Sequence, residues 1–135
     1  IKDLLNLKIK NREQFRPFAP SVLLESVSDW FENDDDVPFM SKVHRIKKEK
    51  VDLVPGVVHV DGTCRLQTVS KINNPLYHNI IEKFKETTGI PMILNTSFNE
   101  NEPIVCKPEE AIDCFLRTKM DNLFIEKYLI FREES

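Results

Sequence analysis

The run Pro91-Met92-Ile93-Leu94 passes without a turn residue into Asn95-Thr96-Ser97-Phe98-Asn99. A short apolar block of this kind marks a buried strand, and the abrupt change to amides and hydroxyls means that its far end delivers polar groups. Helix starts stand on both sides of it. Asn74-Pro75 joins a side chain that caps free amides to a residue with no amide to leave unpaired. Leu76, Tyr77, Ile80, Ile81 and Phe84 then give an apolar stripe, and Gly89 supplies a left-handed stop. Pro108 with Glu109 and Glu110 opens another helix, with Ala111, Ile112, Phe115 and Leu116 predicted to face inward. Leu24, Val27 and Phe31, with Trp30 beside them, predict a short amphipathic helix. The runs GVVHV and CRLQTV flank Asp61-Gly62-Thr63 and read as a hairpin, and Leu123 to Arg132 is expected to lie in the sheet. Several strands and about three helices make the class α/β, with α+β as the alternative.

A chain of 135 residues, 41% hydrophobic and 30% charged, is expected to form one globular domain over residues 1–135 around a single core. Its net charge of -3 argues against a nucleic-acid partner held without sequence preference. Cys64, Cys106 and Cys114 lack any CxxC spacing and sit among apolar residues, which suits reduced core side chains. With no apolar stretch of membrane-spanning length and no signal-peptide pattern, the expectation is a soluble, cytoplasmic protein without a membrane partner. Residues 32–50 join an acidic run (Glu32, Asp34, Asp35, Asp36) to a basic one (Lys42, Arg45, Lys47, Lys48, Lys50) and are expected to form an exposed loop or excursion. Apolar spacing begins at Leu4, Leu5 and Leu7 before any cap, so the chain is expected to be cut from something longer.

Chemistry concentrates in separate clusters. If the run from Lys10 to Arg16 is extended, Lys10, Arg12 and Arg16 share one face, where arginine forks and a lysine charge can grip a phosphate. The alternative is a solvated edge strand paired with acids such as Glu13. Ser97 and Asn99 would share one side of a strand, a hydroxyl and an amide able to hold phosphate or a carbamoyl group; ordinary turn chemistry is the alternative. In His59-Val60-Asp61-Gly62-Thr63, with Arg65 and Gln67, the Asp-Gly pair is most simply the hairpin turn and the last two its outward face. His44, His59 and His78 lack metal-ligand spacing, so no metal site is expected in this chain. GxxxxGK[ST], GxGxxG and GxSxG are all absent, so any nucleotide is handled without a P-loop.

These blocks in this order resemble the C-terminal domain of the NodU/CmcH carbamoyltransferases. The resemblance rests on Lys10-x-Arg12-Glu13-x-Phe15-Arg16-Pro17-Phe18-Ala19-Pro20-Ser21, on His59-Val60-Asp61-Gly62-Thr63-x-Arg65-x-Gln67-Thr68-Val69, on Thr88-Gly89-x-Pro91, and on Leu94-Asn95-Thr96-Ser97-Phe98-Asn99. It implies a YrdC-like fold, a twisted mixed sheet with packed helices. It also implies binding of ATP, with magnesium, and carbamoyl phosphate to form a carbamoyl-adenylate. A preceding actin/hexokinase-type domain, absent from this chain and carrying the family's metal site, would pass the carbamoyl group to a hydroxyl of a natural product.

The family's KxR falls on Lys10 and Arg12 and its SxN on Ser97 and Asn99, with Arg16 and Arg65 as further anion-binding positions. None acts as a nucleophile; their expected role is positioning and charge stabilisation. Asn101 stands where the family has glycine, a position asparagine can fill because it enters left-handed backbone. The glycine- and arginine-rich stretch before KxR is missing, so the isolated chain is expected to be inactive. An RNA-binding module using the cationic face, and a purely structural domain, are the competing readings.

Overall fold

The computed structural model describes residues 18–100 and 102–132. They divide into two compact units, 18–96 and 97–132, where a single core was expected. Lys10, Arg12 and Arg16 lie outside the described residues.

The first unit is built on β1 (Ala19–Leu23), β4 (Gln67–Val69) and β5 (Met92–Asn95), in the order β4-β1-β5. The central strand β1 runs parallel to β4, with Ser21 opposite Gln67, and antiparallel to β5, with Ala19 opposite Asn95. The sheet is therefore mixed and the class is α/β, as the sequence predicts. Because side chains alternate, Val22 and Met92 fall on one face with Leu66 and pack against Trp30, Phe31, Val37, Ile46 and Val57. Leu23, Val69 and Ile93 fall on the other, under Tyr77 and Ile81 of α2 (Pro75–Thr88).

The remaining elements of this unit are short. A 3-10 turn (Leu24–Ser26) leads into α1 (Val27–Trp30), and a second spans Lys48–Leu53. β2 (His44–Arg45) pairs with β3 (Thr63–Cys64).

That pairing corrects the predicted hairpin. A tight turn does form, with the Gly62 amide donating to the His59 carbonyl at 2.9 Å, but β3 takes β2 as its partner and β4 takes β1. The segment 32–50, read as an excursion, is anchored: Val37, His44 and Ile46 are buried while its charges stay outside. Local charge density described the side chains that remain in water and missed the apolar ones between them.

α2 starts and stops as predicted, with the Asn74 side chain accepting the Tyr77 amide at 3.2 Å and Gly89 left-handed at φ 76°. Its inward face is narrower than the stripe suggests: Ile81 and His78 are buried, whereas Leu76, Ile80 and Phe84 are exposed. Buried His78 bonds Glu25 through Nε2 at 2.7 Å, so a residue that reads as polar occupies the core side of the helix.

The second unit holds α3 (Pro108–Arg117) and the antiparallel pair β6 (Asn122–Ile125) and β7 (Tyr128–Phe131). Leu123 to Arg132 is thus a hairpin and not one strand; its bend at Glu126, φ 53°, carries no glycine or asparagine to announce it. Ala111 and Phe115 face inward as predicted and pack with Leu123, Phe98 and Ile130, while Ile112 and Leu116 are exposed. Cys64 and Cys114 are buried, with the Cys64 thiol pushed up to about 12 by desolvation, but Cys106 is exposed.

Candidate functional site

On the α2 side of the sheet, the residues beyond the helix's reach are polar. Ser21, Gln67 and Asn95 come from three different strands and meet at one amide: Ser21 Oγ donates to Gln67 Oε1 at 2.9 Å, and Asn95 Nδ2 donates to the same oxygen at 2.7 Å. Gln67 Nε2 donates in turn to the Pro38 carbonyl at 3.1 Å. The polar group that the apolar run Pro91–Leu94 delivers is therefore Asn95, locked in a network that aligns the sheet.

On the opposite face Thr68 ties down the segment before residue 40. Its hydroxyl accepts from the Val37 amide at 2.9 Å and donates to Asp36 Oδ1, and its amide donates to the Val37 carbonyl at 3.2 Å. These bonds cover the outer edge of β4, which would otherwise stand open. Between this clamped segment and the start of α2 lies a concavity of about 380 Å³, lined by Asp36, Phe39, Gln67, Ser70, Asn73 and Tyr77 among others.

Arg65 sits between buried Cys64 and buried Leu66 and is itself exposed, with no ion pair or hydrogen-bond partner among the described residues. The neighbouring loop is structural. Asp61 accepts from the Thr63 hydroxyl at 2.6 Å and the Thr63 amide at 3.0 Å, which hold its carboxyl below the usual range. A side chain on Gly62, φ 78°, would meet the Arg45 guanidinium at 3.2 Å.

In the second unit Ser97 and Asn99 do not share a strand face: β5 ends at Asn95, opposite the first residue of β1, and the two meet on a loop with a bend at Phe98, the turn chemistry that was the alternative. Ser97 Oγ donates to Asn99 Oδ1 at 2.6 Å, and Asn99 Nδ2 donates to the Glu102 carbonyl at 2.7 Å. Arg117 braces the following turn, reaching Glu100 at 3.0 Å, Glu102 at 2.9 Å and Asp113 at 2.8 Å. The Glu102 carboxyl is held down to about 2, chiefly by its own backbone amide, with the Glu100 amide and Arg117 adding to the effect.

A carboxyl at about 2 when folded and 4.5 when unfolded contributes stability above 4.5 that is lost as pH falls towards 2. Thermal melts of the intact protein should show Glu102→Gln less stable than wild type at about pH 6, with the gap closing between about pH 4.5 and 2. A gap independent of pH would contradict the assignment.

Arg65 thus belongs to the first unit and Ser97 with Asn99 to the second. The sequence alone gives no sign that Gln67 and Asn95 join one network or that Thr68, Asp36 and Tyr77 come together at one concavity. The parity of Gln67 with Arg65, and of Asn95 with Ser97, is the one local signal they carry. Among the described residues no group of three His, Cys, Asp or Glu side chains is placed to hold a metal ion.

The mixed sheet with packed helices defines an α/β protein, with an exposed cation beside the Asp-Gly turn in the first unit and a Ser-x-Asn loop in the second. The sequence model described as Carbamoyltransferase C-terminus matches residues 1–132, and the chain belongs to that family. It is 47% identical to nodulation protein NolO of Bradyrhizobium diazoefficiens over 96% of its own length and 24% of that protein's. Nodulation protein NolNO of Sinorhizobium fredii is also 47% identical, with 96% and 20% covered. Nodulation protein U of Rhizobium tropici is 39% identical over 73% of this chain and 17% of its own. The chain therefore spans about a quarter or less of the length of these relatives.

Proposed function

We propose that this domain binds ATP, with magnesium, and carbamoyl phosphate and forms a carbamoyl-adenylate, which a preceding domain of the intact protein uses to carbamoylate a hydroxyl of a small molecule. The observation that carries this reading is Arg65, a cation held in water between two buried neighbours without a counter-ion among the described residues, in a chain that matches a carbamoyltransferase family over residues 1–132. A guanidinium left unpaired beside a folded turn is ready to receive a planar anion in two parallel hydrogen bonds.

Lys10, Arg12 and Arg16 would add charge at the phosphates. The Ser97 hydroxyl and Asn99 amide would hold the carbonyl group, with no side chain attacking it. Atom balance requires one water for each adenylate formed: it cleaves carbamoyl phosphate to carbamate and phosphate, and a carbamate oxygen then displaces pyrophosphate from the α-phosphate of ATP. The residues named act by alignment and by stabilising charge that grows on the departing pyrophosphate.

The same observations weigh against an RNA-binding module. Of the basic run, Lys42 pairs with Asp35, Arg45 holds the Asp61 carbonyl and Lys50 lies over the Trp30 ring. These cations are engaged in the fold. Among the described residues no helix is long and apolar enough to cross a membrane.

The test is pyrophosphate release by the intact protein supplied with ATP, magnesium and carbamoyl phosphate. Release that requires carbamoyl phosphate is expected. Release of ADP instead, or pyrophosphate that forms without carbamoyl phosphate, would sink the adenylate.

A further inference from the structure

Arg65 stands at a junction that no strand ladder holds. β3 ends at Cys64 against β2, and β4 begins at Gln67 against β1, so Arg65 and Leu66 lie between two separate pairings. The upstream side is fixed at the Asp61-Gly62 turn, where Asp61 accepts from Thr63 and Arg45 holds the Asp61 carbonyl at 2.7 Å. The downstream side depends on β4, a strand of only three residues. A slip of one residue there would carry every side chain of the strand to the other face of the sheet.

Gln67, the first residue of β4, secures that side. Its carboxamide takes partners from three parts of the unit: Oε1 accepts from Ser21 of β1 and from Asn95 of β5, and Nε2 donates to the Pro38 carbonyl. Only a group that both accepts and donates can do this; a carboxylate lacks the donor and an ammonium lacks the acceptor. Stability alone does not ask for such a network, because apolar groups of the same shape in place of both partners cost little. A satisfied polar network adds a single alignment, here of β4 on β1 and β5 at the strand end nearest Arg65.

We propose that Gln67 is a positioning residue for anion binding: its amide fixes the register of β4 and so holds the backbone from which the Arg65 guanidinium meets its anion. The inference rests on the role given to Arg65 above and adds the group that aligns it. A guanidinium fork needs such support, since both of its N–H groups must reach their oxygens at once. Gln67 acts through Arg65 and through no contact of its own with the anion.

The experiment is a double-mutant cycle on the Kd of inorganic pyrophosphate, measured by calorimetry on the intact protein for wild type, Gln67→Met, Arg65→Ala and the pair. Arg65→Ala is expected to bind at least about tenfold more weakly. Gln67→Met should bind about fivefold more weakly, and the pair no more weakly than Arg65→Ala alone, because without the guanidinium there is nothing left to align. A general loss of structure would instead weaken binding by the same factor in both backgrounds. Ser21→Ala, a smaller change that removes one donor from the network, carries the test should Gln67→Met fail to fold; about threefold weaker binding is expected, again only where Arg65 is present. Equal losses in the two backgrounds, unchanged binding in Gln67→Met or Ser21→Ala, or wild-type binding that does not depend on Arg65 overturns the inference. Pyrophosphate release that requires carbamoyl phosphate, measured on the same wild-type preparation, tells that failure apart from failure of the adenylate reading.

Discussion

Arg65→Ala in the intact protein is expected to lower kcat/KM for carbamoyl transfer by roughly a hundredfold while leaving the melting temperature almost unchanged. The two halves of this expectation have separate physical origins. Arg65 is exposed and partnerless among the described residues, so its removal breaks no contact of the fold, and such surface changes usually stay within about 0.5 kcal/mol. A charge-assisted hydrogen bond to an anion is worth about 1.5–3 kcal/mol, and loss of one such contact in the transition state gives a fall of this size. Arg65→Lys should recover only part of the rate, because an ammonium keeps the charge but not the fork. A variant with full activity would leave Arg65 as a solvated surface residue and remove the observation on which the proposed function rests.

Phe115→Ala should act in the opposite way, through stability. Phe115 is buried in the small core of the 97–132 unit with Ala111 and Leu123, and the Arg132 guanidinium lies 4.9 Å above its ring. The same guanidinium donates to the Phe115 and Thr118 carbonyls at 2.6 Å, so the ring also supports the group that finishes α3. Cutting a buried phenylalanine back to alanine costs about 3–5 kcal/mol, a large part of the total stability of an ordinary domain. Amide hydrogen exchange of the intact protein should show faster exchange across α3, β6 and β7. Activity should fall with it, since the Ser97 and Asn99 loop packs through Phe98 on this core. Phe124→Ala, at an exposed position of the same hairpin, is the control and should change little. Unaltered exchange in Phe115→Ala would mean that the ring does not hold this unit together.

The candidate residues are legible in the sequence to the extent that they belong to local motifs. Ser97 and Asn99 meet across a bend, by the local turn chemistry that hydroxyl and amide side chains favour, and the Asp61-Gly62 turn forms because glycine takes a left-handed conformation and the aspartate caps its own turn. The cavity was not legible. Asp36 stands in an acidic run that reads as solvated, and Phe39 follows it without periodicity; only their bonds to Thr68 and Gln67, some thirty residues away, bring them to α2.

By itself the sequence determined the features that depend on neighbouring residues: the capped start and glycine stop of α2, the proline-opened α3, the buried strand β5 and the family, carried by blocks in order along the chain. Tertiary structure decided which strands pair, how much of each helix is covered and where the core divides. β3 keeps one backbone bond to the run before its own turn, from the His59 amide to the Thr63 carbonyl, and forms its strand ladder with β2. Leu76, Ile80 and Phe84 match the helical period as well as Ile81 does, yet Ile81 and His78 are the buried residues of α2. Periodicity selects a face of a helix, but only the packed partner sets how wide the buried part is, because burial depends on what lies opposite.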